Sequence, residues 1–460
     1  MKIIEPILML SLIATTAQAE TAEVFRKLWN DPTVAGRIKR DIEEYRKGNA
    51  TIEVVDQDGK PLANAAVEVR QQRHEFLFGC NLFVLDQLAT PELNRKYEAA
   101  FTNLFNFATL PFYWRQLEPQ QGKPRYTEDS PRILRRPPPD RLVKWCKANG
   151  ITPKGHALMY VNNKFMPDWT ARNDAEAFLR QGAKHMAEIA QRYQSDIPIW
   201  DAVNEEMPRS KHLSAWHAVP DDYLAWCFQE AGRLFPKNTK LLINDGTPYV
   251  HNTTSDYEAM IKGLQQRGVP VGGIGIQFHT GGGGIGGGAM RGAMLGGKLF
   301  PPGKLCAVYD QLGRLGLPLY ITEITISGAG NDGPALQAAV VENLYRLWFS
   351  TPRMAGVTWW NLGDGTAYKD ETRNENKSLG GLLDEEMNPK PAYQVLDKLI
   401  NHEWKTSLTL KTDAGGKASF RGFHGTYRYV AGVGGKKVEG TLRVQSVGDN
   451  HHVIRLSAGR

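Results

Sequence analysis

Three stretches end an apolar run on side chains that can do chemistry: WDAVNEE (200–206), GIGIQFH (273–279) and LYITEIT (319–325). They contribute the carboxyls of Glu205 and Glu323, the amides of Asn204 and Gln277, and the imidazole of His279. Two carboxyls flanking one bond, one ionised and one still holding its proton, are what hydrolysis of a glycosidic bond usually needs. In the retaining form of that reaction they stand about 5 Å apart, because the ionised one attacks the anomeric carbon itself. Glu206 competes with Glu205, but side chains alternate along a strand, so the two cannot point into the same pocket. Met207-Pro208-Arg209 follows as a turn, which makes Glu206 a solvent or structural carboxylate by default. Spacing favours Glu205 and leaves Glu206 open.

Glu205 and Glu323 are so distant in sequence that only a closed fold brings them together. Eight apolar, strand-like runs supply one: 76–83, 105–110, 154–160, 198–205, 240–246, 272–279, 317–326 and 355–362. Helical segments fall between them. One is DRLVKWCKANG, where Asp140 reads as the opening cap and Gly150 as the stop. Alternating units of this kind fit a (β/α)8 TIM barrel, although a doubly wound open sheet also alternates. The polar residues decide between them. His156, Asn204, Glu205, Asn244, Asp245, Gln277, His279, Glu323 and Trp360 all sit at the C-terminal ends of the runs. A barrel enzyme keeps its chemistry at that end.

The two ends of the chain read differently. Residues 1–19 (MKIIEPILMLSLIATTAQA) carry Lys2 before an apolar stretch and an Ala-x-Ala site at Ala17–Ala19, and read as a secretory signal. A secreted or periplasmic protein is expected, with no membrane partner once the signal is removed. Residues 24–47 look helical, and 50–74 hold two strand-like runs around Asp58-Gly59, a hairpin signal. From about Trp404 short alternating runs punctuated by glycine return. The expected division is therefore a signal (1–19), an N-terminal helix and strands (20–75), a barrel (76–402) and a β-rich end (403–460). The two β-rich ends together have the strand content of one small β-sandwich. Its role is either sugar binding or covering barrel surface.

Composition narrows the partners. The formal charge is +7, yet no block of Lys and Arg is long enough for a nucleic-acid groove, so no nucleic acid is expected. Cys80, Cys146, Cys227 and Cys306 stand apart in apolar contexts and read as buried thiols rather than a disulfide pair. No His, Asp or Glu cluster has catalytic-metal spacing, and the glycine-rich run 281–297 lacks the pattern of a phosphate-binding loop. No metal is expected.

The three opening stretches, in this order and spacing, resemble motifs of glycoside hydrolase family 10, the retaining β-1,4-xylanases. So do Glu118-Pro119, GHAL (155–158) and LLDEEMNPKPAY (382–393), and the resemblance runs over about residues 76–400. It implies Glu205 as acid/base and Glu323 as nucleophile, with a polysaccharide or oligosaccharide as substrate and no cofactor. It also implies that Asn204 binds the sugar 2-hydroxyl and that His279 hydrogen-bonds the nucleophile. Gln277 and His156 would contact the sugar at the cleavage site, with Trp360 beneath it.

The departures are local. Where the family carries E-N-x-x-K-W to hold glycone sugars, this chain has Thr109-Leu110-Pro111-Phe112-Tyr113-Trp114, so Leu110 replaces the asparagine and Tyr113 the lysine. W-H-S-Q becomes Tyr160-Val161-Asn162-Asn163, and Tyr368 stands for a tryptophan of the aglycone side. The expected activity is a secreted β-glycanase, with endo-β-1,4-xylan cleavage as the first choice of substrate. The same chemistry on a decorated or acidic β-glycan, or a non-catalytic sugar-binding barrel, are the alternatives.

Overall fold

The computed structural model describes residues 25–207, 216–246, 252–280, 300–330 and 332–456. The expected signal segment and the glycine-rich run 281–297 lie outside them. The described residues form two compact units, one holding Phe78–Asn343 and Arg353–Gln394, the other Asp31–Leu77, Leu344–Pro352 and the chain from Val395. Among the described residues no helix is long and apolar enough to cross a membrane.

The expected helix over 24–47 divides at Asn30-Asp31. Asp31 caps the helix Pro32–Arg46, accepting from the Thr33 N–H at 2.8 Å, and Pro32 occupies the first turn where its missing N–H costs nothing. Two strands follow, β1 (Lys47–Val55) and β2 (Ala66–His74). The turn between them forms as the sequence suggests, with Asp56 accepting from the N–H groups of Asp58 and Lys60 at 3.0 and 2.8 Å. The hairpin does not form: β1 and β2 belong to different sheets. Each strand has one apolar face, with Ile52 and Val54 buried on β1 and Val67 and Val69 on β2. Paired side by side, those faces would both lack cover; set face to face in two sheets, they cover each other.

Eight parallel strands come next: β3 (Leu77–Asn81), β4 (Phe107–Pro111), β5 (Thr152–Met159), β6 (Ile199–Asn204), β7 (Lys240–Asp245), β8 (Gly273–His279), β9 (Leu319–Thr325) and β10 (Met354–Trp359). They close in the order β10-β3-β4-β5-β6-β7-β8-β9, so each of the eight expected runs supplies one strand of a (β/α)8 barrel. Strands buried on both faces read as continuous apolar runs, and every residue of β4 and β6 is buried. One capping expectation needs correction. The helix Pro139–Ala148 starts a residue before Asp140, which lies in its first turn and accepts from Arg192 and Tyr193 instead of capping. Gly150 does follow the helix end, at φ +62°, a left-handed position that glycine adopts without strain.

The chain ends in β11 (Ser407–Lys411), β12 (Lys417–Phe423), β13 (Gly425–Val433), β14 (Lys436–Val444) and β15 (His451–Arg455). β1 lies between β12 and β15, and β2 lies between β11 and β13, with β14 beyond β13. Ile52, Val54, Val67, Val69, Tyr427, Val444 and Ile454 share one buried core, so the two sheets form a sandwich from both ends of the chain. All four cysteines are buried thiols outside any disulfide.

Candidate active site

Glu323 lies on β9 among Ile321 and Ile324, which are fully buried, and is itself 4% exposed. Its Oε1 accepts from Asn244 Nδ2 and Gln277 Nε2, both at 3.1 Å, and its Oε2 lies 3.1 Å from His279 Nε2. The Thr325 hydroxyl, 2.9 Å from His279 Nδ1, is placed to donate there and leave the Nε2 proton for Glu323. His156 Nε2 stands 3.9 Å from Oε1. Burial opposes ionisation of Glu323, but the His279 hydrogen bond and the charges of His156, His279 and Lys154 outweigh it and hold the carboxyl below its ordinary range.

Glu205 stands one residue past the end of β6, at φ +58°. A non-glycine residue in this left-handed region costs about 1–3 kcal/mol of backbone strain. Its N–H donates to Asn244 O at 2.9 Å, and Asp245 accepts from the Met207 N–H at 2.8 Å, which pins the turn on both sides. Burial pushes the Asp245 carboxyl up to about 6, against the backbone N–H groups of Met207 and Gly246. The turn sends Glu205 into the cavity, where Oε1 accepts from Gln277 Nε2 at 3.1 Å and Oε2 from the Tyr160 hydroxyl. Burial, then the Glu205 carboxylate, hold the Tyr160 phenol well above its ordinary value, so it stays a donor. Glu206 is buried and does not line the cavity, so it is a structural carboxylate and not a solvated one.

Gln277 therefore bridges both carboxyls through one amide nitrogen. Two contacts of 3.1 Å to a single atom limit the separation of the two Oε1 atoms to twice that distance. Asn204 Oδ1 accepts from Asn244 Nδ2 at 2.7 Å, and Thr322 Oγ1 donates to Asn244 Oδ1 at 2.6 Å. Asn244 fits because its partner across the sheet is Gly275: a Cβ there would stand 2.5 Å from Asn244 Oδ1. A third carboxylate lies deeper. Asp201, fully buried on β6, accepts from Lys154 Nζ and His156 Nδ1, each at 2.6 Å. Burial would raise the Asp201 carboxyl, but Lys154 and His156 together hold it low.

Glu205, Glu323, His156, Asn204, His279, Trp360, Tyr113, Tyr160 and Tyr368 all line one cavity of about 460 Å³. Gln277, 4% exposed, does not reach its lining. Its amide meets both carboxyls all the same. Trp360 packs against Phe83, His156 and His279 with ring centroids 5.1, 5.6 and 6.3 Å away. Tyr113 and Tyr160 each stack on Phe165, at 4.6 and 4.7 Å. Tyr368 donates to Asp370 at 2.7 Å, and Lys164 donates to the same carboxylate.

Lys154, Asp201, Thr325, Arg135 and Arg136 join the site without having been expected there, and Asn244, expected only at the end of its strand, gains a role. A lysine and an aspartate inside apolar strands were a usable signal, because an ionised group is rarely buried without a partner. The two arginines carried no such signal, since they lie in the proline-rich run RILRRPPPD between β4 and β5. Among the described residues no group of three or more His, Cys, Asp or Glu is arranged to hold a metal ion.

Comparison with known proteins follows the same lines. The model of "Glycosyl hydrolase family 10" matches residues 90–399. The anti-sigma-I factor RsgI6 of Acetivibrio thermocellus is 26% identical over 397 residues, 86% of this chain and 46% of that protein. Endo-1,4-beta-xylanase 1 of Arabidopsis thaliana is 24% identical, over 85% of this chain and 37% of that protein. The chain thus spans less than half the length of these curated relatives. Xylanase 10B from Thermotoga petrophila RKU-1, solved in complex with xylobiose, shares the fold with a TM-score of 0.57 at 20% identity, covering 72% of this chain and 95% of that one.

Proposed function

Since this chain belongs to glycosyl hydrolase family 10, we propose that it cleaves a β-1,4-linked polysaccharide with retention of anomeric configuration, xylan being the first choice of backbone. The observation that carries the mechanism is the shared Gln277 nitrogen. It keeps the facing oxygens of Glu205 and Glu323 within about 6 Å, short of the roughly 6.5–9.5 Å that an inverting enzyme needs to admit a water between its carboxyls. Glu323, held ionised, attacks the anomeric carbon. The bond from that carbon to the leaving oxygen breaks as Glu205 gives that oxygen its proton, and a glycosyl ester remains on Glu323. Glu205 then takes a proton from water, the water oxygen bonds to the anomeric carbon, and the Glu323 carboxylate leaves.

The names of relatives support the backbone: plant endo-1,4-beta-xylanases in sequence, and a xylanase holding xylobiose in fold. The chain's own residues allow the chemistry on that scaffold. Asn204, held by Asn244, presents an amide beside both carboxyls, and Trp360 supplies an aromatic surface on the cavity wall. Residues 1–19 support export from the cytoplasm, and N-terminal sequencing of the mature protein locates the cleavage site.

Reducing-sugar release across xylan, glucuronoxylan, arabinoxylan, glucan, mannan and galactan identifies the backbone, and proton NMR of the first-formed product reads its anomeric configuration. In Glu323→Ala no ester can form, so turnover of every substrate is lost, activated aryl glycosides included. Glu205→Ala keeps the first step on activated aryl glycosides, which need little protonation, and azide restores the second. A dead Glu206→Ala beside a fully active Glu205→Ala would reverse the assignment, and an inverted first product would end the retaining mechanism.

A further inference from the structure

The cavity wall holds two cations that the reaction does not use. Arg135 and Arg136 both line the cavity, and each is only 8% exposed. Among the described residues no carboxylate lies within ion-pairing distance of either. The other charged groups on that wall are accounted for. Lys164 pairs with Asp370 at 2.9 Å, Arg373 with Glu375 at 3.0 Å, and Asp364 with Lys390 at 2.9 Å. Glu205 and Glu323 are committed to the bond being cleaved.

What holds the two arginines is neutral. Arg135 Nη1 donates to Asn361 Oδ1 at 2.7 Å and to the Thr366 carbonyl, and Arg136 Nη1 donates to the Arg135 carbonyl at 2.7 Å. The Arg136 guanidinium lies over the Tyr113 ring at 4.1 Å, and both guanidinia lie over Phe83, at 5.4 and 5.3 Å. The Nε atoms of both are buried without an acceptor. Burial lowers the affinity of both groups for their protons, that of Arg136 to about 10, which leaves Arg136 charged at neutral pH, and a guanidinium in a protein ordinarily keeps its charge. Arg135 itself sits at φ +62°, with its N–H donating to Gln87 Oε1 at 2.6 Å. A constrained backbone thus presents to the cavity two adjacent buried cations that none of its carboxylates pairs with. Charges in that condition are ordinarily paired.

We propose that Arg135 and Arg136 bind a sugar-borne oxyanion, the carboxylate of a uronic acid or a sulfate ester, on the glycan that occupies this cavity. Resting on the glycanase reading above, this specifies its substrate as an acidic β-glycan. Each guanidinium keeps an Nη2 group that meets no acceptor among the described residues, and one such charged donor from each arginine can serve the two oxygens of such a group.

The test compares β-1,4-xylo-oligosaccharides carrying glucuronic acid with the same compounds after reduction of the carboxyl to an alcohol, and with sulfate-bearing analogues. Wild-type protein is expected to favour an anionic form in kcat/KM by roughly 10- to 100-fold, the worth of one hydrogen-bonded charge contact. Arg136→Gln brings that ratio close to one, and added salt lowers it in the wild type, a reading that needs no variant to fold. Preference for the carboxylate or for the sulfate identifies the anion. Calorimetry on the full-length Glu323→Ala protein repeats the comparison by binding alone. Equal binding of charged and reduced forms overturns the proposal, as does an Arg136→Gln protein of unchanged melting temperature that keeps the wild-type ratio. Absence of turnover with every glycan, with the binding preference intact, sinks the hydrolase mechanism and leaves this inference standing.

Discussion

Replacing His279 with alanine removes the side chain that faces Oε2 of Glu323 at 3.1 Å, while Asn244 and Gln277 still serve Oε1. The change bears on charge more than on shape. Glu323 is buried, which favours its neutral form, and His279 is foremost among the groups that reverse this. A hydrogen bond to a charged group is worth about 1.5–3 kcal/mol, and 1.36 kcal/mol corresponds to one pH unit. Loss of this bond therefore raises the Glu323 carboxyl by about 1–2 units. The sign follows from its role: the nucleophile works when ionised, so activity is present above its titration and is lost as pH falls through it. The acidic limb of kcat/KM in His279→Ala is expected to move to higher pH by that amount. At a pH between the old and new limbs the rate falls on the order of 10- to 100-fold, and it recovers on going more alkaline. An aryl glycoside with an activated leaving group makes the limb easiest to read, because the first step then depends little on Glu205. The limb belongs to coupled carboxyls, so the shift of the whole curve is the quantity to compare. A uniform loss at every pH with the limb unmoved would refute the electrostatic role and leave His279 as a contact to sugar.

Asp201→Asn strands the Lys154 ammonium with no anion in a site that is 0% exposed, and the expected cost is about 3–5 kcal/mol in urea unfolding. Adding Lys154→Met to it recovers part of that loss, because the buried charge is then gone; no recovery would mean that the pair is not what Asp201 stabilises. Deleting 404–460 removes both neighbours of β1 and both neighbours of β2, so amide protection across 50–74 is expected to vanish. Unchanged protection there would show that these strands do not depend on the C-terminal segment.

How much of this was legible beforehand depends on the range over which each feature is decided. Strand burial is local: a segment buried on both faces must be apolar throughout, so the eight runs could be read from 76–83 to 355–362 without knowing their neighbours. Polar residues at the ends of those runs then marked the active end of the barrel, while the choice of Glu205 over Glu206 and the roles of Glu323, His156, Asn204 and His279 came from the resemblance to glycoside hydrolase family 10. Pairing was not local. The turn at Asp56–Gly59 is written in its residues, but which sheet β2 joins depends on strands more than three hundred residues later. The same limit hid the arrangement of the site. Gln277 holds two carboxyls at once, Lys154 and Asp201 support His156 from within the barrel, and Gly275 makes room for Asn244 across a strand. Each depends on a distance between atoms far apart in the chain. Residue type limits what a side chain can do, but only the packed backbone decides which charges find partners. By that criterion Asp201 is satisfied, whereas Arg135 and Arg136 face the cavity without an anion.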